Sequence, residues 1–114
     1  MAQKQELPVV VLKAYDFTVW LVKKVEHFPR SQRFGLGERL NSAAIDLLLR
    51  LVDAAYAKEK AGILLEVNAM LNRIRFLLRL AKDLNLFTLD SYGHAAEILE
   101  EIGRMAGGWR KVST

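Results

Sequence analysis

An all-α fold is what this sequence predicts, and three observations predict it. Only two prolines occur, Pro8 and Pro29, and neither falls inside a periodic segment. Apolar residues recur at spacings of three and four, and no segment alternates for more than a few residues as a half-buried strand would. Leu, Ala, Arg, Lys and Glu fill the chain between its seven glycines, a composition that favours helix. Four helices joined by short connections follow. Short connections make sequential helices antiparallel neighbours, so the expected architecture is an up-down-up-down four-helix bundle.

The first helix is expected from Pro8, which suits a first helical turn, to about His27. Leu12, Tyr15, Val19, Val22 and Val25 lie along it at helical spacing, and Pro29 ends it. The second runs from about Ser31 to about Lys58, with Leu36, Leu40, Ala43, Leu47, Leu51 and Ala54 on one face and Asp46 and Arg50 as an (i, i+4) pair on its polar side. A break at Lys60 to Gly62 rests on the glycine and a cluster of charges. The third helix covers Ile63 to about Leu84. After the segment NLFT, the fourth begins at Thr88 as N-cap and stops at Gly107 and Gly108. Gly37 reads as a small residue that lets another helix approach, and Trp109 as a cover for the end of the bundle.

At 114 residues the chain holds one core, so 1–114 is a single domain, with its ends, about 1–7 and 110–114, expected to be mobile. Hydrophobic residues make up 52%, enough to bury that core and too many for a disordered chain. No run of about 18 uncharged apolar residues spans a membrane. The N-terminus lacks the apolar region and cleavage site of a secretory signal, and the absence of cysteine removes disulfide and thiolate chemistry, so a cytoplasmic location is expected. A net charge of +4 permits a polyanionic partner without requiring one.

Catalysis needs groups that converge, and none do. His27 and His94 stand alone, without the spacing of a metal site, and no base accompanies a nucleophile. Glu97, Glu100 and Glu101 precede Arg104 as a solvated helix face. In FGLGERL a lone Gly-x-Gly has no preceding strand, and GGWRK follows a helix rather than opening one, so neither cradles a phosphate. An enzyme, a cofactor and a metal are therefore not expected.

The third helix is the informative one. At about 100° per residue, Ile63, Val67, Met70, Ile74, Leu77, Ala81 and Leu84 form a four-three stripe and are expected in the core. Nearly opposite, Asn68, Asn72, Arg75, Arg79 and Lys82 follow the same spacing within about 80° of one another, a polar and then basic ridge with no acidic residue in it. These five are the candidate contacts to a nucleic acid or an acidic partner. A second apolar flank, Leu65, Ala69, Phe76 and Leu80, exceeds what one bundle hides and predicts self-association. Glu66 and Arg73 lie beside it, where each charge needs a partner, either the other or one on a neighbouring chain. Glu66, Arg73, Phe76 and Leu80 are the candidate interface.

The segments AYDFTVW, FPRSQRFGLGERL, AAYAKEK, NRIRFLLRLAKDLNL and, after Tyr92, EILEEIGRMAGGWRK occur in the order seen in the accessory variability determinant (Avd) proteins of diversity-generating retroelements. The chain resembles that family over nearly its whole length, most specifically in FPRSQRF with Gly37, in RLAKDL, and in EIGRM with GGW. The resemblance implies a non-catalytic protein that associates with the element's reverse transcriptase and supports error-prone copying of a template-repeat RNA, the cDNA then replacing a variable region of a target gene. It also implies a basic homopentameric ring that meets RNA and possibly DNA. The wider relatives are four-helix bundles encoded in intervening sequences of ribosomal RNA. They leave the alternative of a stand-alone RNA-binding or structural bundle.

Overall fold

The computed structural model describes residues 7–113. Among them are four long helices and no strand: α1 (Val9–Val25), α2 (Glu38–Tyr56), α3 (Ala61–Asp83) and α4 (Leu89–Val112). The two helical stretches that precede Glu38 are Arg30–Gln32, capped by Pro29, and a π-helical turn at Arg33–Gly37. Pro29 therefore starts the second helical segment, and α1 has already ended at Val25 through turns closed by His27 and Phe28. The helices pack in a ring, α1 on α2 and α4, and α3 on α2 and α4. Phe17, Leu21, Leu47, Leu71, Ile74, Leu99 and Ile102 fill the centre and are shut off from solvent.

Gly37 behaves as its position predicts. A Cβ there would lie 2.8 Å from Val25 Cγ1 and 3.2 Å from the Gln32 carbonyl oxygen, so only glycine lets the π-turn close against the end of α1. The break before α3 is held by Lys60, whose Nζ donates to the carbonyl oxygens of Ala54 (2.8 Å) and Ala57 (2.6 Å) and so satisfies acceptors left open at the end of α2. The end of α3 is a Schellman turn. Asn85 takes φ 62°, its N–H donates to Lys82 O, and Leu86 N–H donates to Ala81 O. Thr88 caps α4 as predicted, its hydroxyl accepting from Ser91 N–H at 3.0 Å.

Several expectations are corrected. Gly107 and Gly108 do not stop α4, which continues to Val112; Trp109 lies inside the helix, half-buried against the core. Arg110, Lys111 and Val112, expected in a mobile tail, are part of that helix, while residues 1–6 and 114 lie outside those described. On α1 the buried face is Val10, Ala14, Phe17, Leu21 and Val25, and Leu12, Tyr15 and Val19 are exposed. On α3 the buried stripe is Leu64, Val67, Leu71, Ile74, Leu78 and Ala81. Ile63, Met70 and Leu77 sit at its half-buried margin, and Leu84 is 48% exposed. Arg50 pairs with Asp53 and with Glu66 of α3, rather than with Asp46.

Candidate functional site

The shift of the buried stripe rotates the predicted ridge toward α4. Asn68, Asn72 and Arg79 are exposed, whereas Arg75 and Lys82 are half-buried at the edge shared by α3 and α4. Arg75 is tied down on both sides: Nη1 donates to Asn72 Oδ1 at 2.9 Å and Nη2 to the Leu99 carbonyl oxygen of α4 at 3.4 Å. Gly103 makes room for it, since a Cβ there would lie 3.1 Å from Nη2. Lys82 sits 3.6 Å from Asp83 Oδ1 and, at 4.9 Å, over the ring of Tyr92. Asp83 thus partly neutralises a ridge that the spacing alone leaves without an acidic residue. Arg79 has no partner among the described residues and is the ridge's open cation. The five residues do share one edge of the molecule, but they divide into a fixed member (Arg75), a half-committed one (Lys82) and three exposed to solvent.

The candidate interface residues fare differently from one another. Phe76 and Leu80 are 71% and 48% exposed, and Leu65 and Phe34 are exposed with them, so the second apolar flank is real surface. Glu66 is not the partner of Arg73. It accepts from Arg50 Nη2, and the two carboxylates around Arg50, Glu66 first and Asp53 second, hold that guanidinium above its ordinary pKa. Arg73 is exposed, without a partner among the described residues, on the wall of an open cleft between the start of α2 and α3 that Phe34, Arg39, Asp46 and Leu80 also line.

A second apolar face does not follow from the sequence pattern. Leu12, Tyr15 and Val19 of α1 and Ile45 and Leu49 of α2 are all exposed, and Tyr15, Val19, Val22 and Leu48 line one shallow depression between these helices. Its signal lies in the same α1 residues that helical spacing alone assigns to the core. Tyr92 and Gly103 are further parts of the ridge that the spacing of α3 does not reveal, and only their helical register opposite Lys82 and Arg75 could have found them. On α4, Glu97 and Glu100 are exposed as expected, while Glu101 reaches Lys13 of α1 at 3.2 Å. Among the described residues no group of three or more His, Asp or Glu side chains is placed to hold a metal ion, and no helix is long and apolar enough to cross a membrane.

A family model described as bAvd-like matches residues 8–113. No curated protein and no solved structure matches the chain.

Proposed function

Because this chain belongs to the bAvd-like family, we propose that it is a non-catalytic accessory protein of a diversity-generating retroelement, working in the cytoplasm. In this reading it binds the reverse transcriptase and the template RNA, and it supports mutagenic cDNA synthesis and the retrohoming that follows. The family match over residues 8–113 carries the proposal. The charge along the α3–α4 edge supports it, since Arg79 and Lys82 offer phosphates a cationic track while Arg75 is held by hydrogen bonds. Such a track contacts backbone rather than base edges, so binding along it is tolerant of sequence and sensitive to salt.

The assembly proposed is an antiparallel up-down-up-down bundle repeated in a homopentameric ring. A ring needs a heterologous contact, in which one surface of each subunit meets a different surface of the next. The α1–α2 face and the α3 flank with Phe76 and Leu80 are two such surfaces. Five copies at +4 would together carry about +20, which turns a mild excess into a strong field.

The test is co-purification of the tagged protein with its cognate reverse transcriptase and template RNA. Arg79→Glu combined with Lys82→Gln is expected to keep the helical circular dichroism and the oligomer, because both replacements are good helix formers and neither touches the buried stripe. Recovery of polymerase or RNA is expected to fall. Undiminished recovery of both removes the ridge from the reading.

A further inference from the structure

Where α1 ends and α4 begins, the surface opens into a groove of about 570 Å³. Its floor is aromatic. Trp20, Phe28 and Phe87 form it: Trp20 stacks on Phe87 (centroids 6.2 Å apart, planes 10° apart) and, beneath the floor, on the buried Phe17 (6.1 Å, 25°), Phe87 meets Phe28 edge-on at 5.4 Å, and His94 of α4 tilts against the Trp20 ring at 5.1 Å. The rim is basic: Lys23, Lys24 and His27 line the groove and no Asp or Glu does, Asp90 in the first turn of α4 lying outside it. Lys24 Nζ stands 5.6 Å from the centre of the Trp20 ring. His27 Nδ1 lies 3.0 Å from the Lys23 carbonyl oxygen, which can only accept, so Nδ1 carries the proton and Nε2 is left without a partner among the described residues. The first turn of α4 closes the groove through Thr88 and Ser91, adding the positive end of a 24-residue helix.

Near-parallel rings beneath a rim whose only charged side chains are the cations Lys23 and Lys24 select a ligand that is flat and apolar in one part and anionic in the next. An acidic peptide satisfies the rim alone and an apolar helix the floor alone, whereas a nucleotide satisfies both. The groove and the ridge draw on neighbouring positions of α4: Ser91 lines the groove, and the next residue, Tyr92, has its ring under Lys82. We infer that this groove binds an unpaired nucleotide of single-stranded RNA or DNA, its base against the Trp20 and Phe87 rings and its phosphates on Lys23 and Lys24. The inference rests on the reading that the ridge meets a nucleic-acid backbone, and it adds a site where a base, rather than the backbone alone, is held.

Trp20 and Trp109 are the chain's two tryptophans; Trp20 lies beside His94 (5.1 Å), and Trp109 follows fifteen residues further along α4, about 22 Å at 1.5 Å per residue. In a Trp109→Phe protein the emission reports Trp20 alone. It is titrated with oligouridylate, with oligothymidylate and with a duplex of the same length, each also followed by fluorescence anisotropy of a labelled strand. Expected are binding of all three and quenching by single strands only, since paired bases cannot enter the groove; quenching by one of the two single strands alone supports the site and names its source. Lys23→Glu with Lys24→Glu is expected to lower single-strand affinity on the order of tenfold. The emission measurement needs no groove variant, so it stands even where that double substitution weakens α1. Single strands that bind without changing Trp20 emission, or a duplex that quenches equally, overturn the groove while leaving the nucleic-acid reading intact. No binding by any of the three overturns both.

Discussion

Asn85 holds the one positive φ among the described non-glycine residues, 62°, and it does so at the position where helices most often place glycine. Asn tolerates the left-handed region because its short side chain bonds locally, whereas a β-branched residue clashes there. Asn85→Gly is therefore expected to leave thermal stability within about 1 kcal/mol of the parent. Asn85→Val is expected to cost about 1–2 kcal/mol, read as a lower melting temperature at unchanged helix content. The segment NLFT marks the break but not its handedness, because Asn serves many kinds of turn. Gly107 and Gly108 mislead in the other direction. A glycine pair lowers helix propensity without forbidding helix, and packing beyond the pair decides: Trp109 lies on the core beneath Lys60 (5.9 Å), and the Ser113 hydroxyl donates back to Trp109 O at 2.8 Å. A Cβ at either glycine meets nothing within 4 Å. Gly107→Ala and Gly108→Ala are each expected to raise stability by up to about 1 kcal/mol in thermal denaturation.

At the scale of an element, the boundaries of α3 are legible in the sequence to within about two residues while its orientation is not. The runs Ile63-Leu64-Leu65, Met70-Leu71 and Phe76-Leu77-Leu78 are apolar at consecutive positions, so stripes in neighbouring registers fit the pattern equally well. What chooses between them is contact with α2 and α4, which no single helix encodes. The same ambiguity places Leu12, Tyr15 and Val19 of α1 inside, and it aims the basic ridge at open solvent instead of toward α4. On α2 the stripe through Leu40, Leu47, Leu51 and Ala54 is buried as predicted. The π-turn before α2 has no signal beyond two glycines. A π-turn carries one residue more than the α-helix it interrupts, and Gly35 within it is exposed, with open space where a Cβ would stand. Deleting Gly35 is expected to convert the turn to α-helix and to preserve the register from Glu38 onward, giving a cooperatively folded protein by circular dichroism. Deleting Ala44 instead rotates half of α2 by about 100° and is expected to abolish cooperative unfolding.

For the whole molecule, composition allows a polyanionic partner and cannot name one; the quoted motifs, and then the family match, supply the family. The arrangement of the surface is less legible: the apolar flank of α3 follows from its spacing, whereas the apolar face of α1 and α2 becomes visible only when those helices are set side by side. Those faces are made of different residues, Leu12, Tyr15, Val19, Ile45 and Leu49 on one and Leu65, Phe76 and Leu80 on the other. In the ring proposed above, a subunit built this way has polarity, like a link with a hook at one end and an eye at the other. Spoiling the hook with Leu12→Glu and Leu49→Glu, or the eye with Phe76→Glu and Leu80→Lys, is expected to leave a folded monomer, since all four side chains are exposed. Each crippled chain nevertheless keeps one sound end. Mixed in equal amounts, the two are expected to join as a one-to-one dimer that grows no further, visible by native mass spectrometry, whereas two persistent monomers would mean that these ends do not mate.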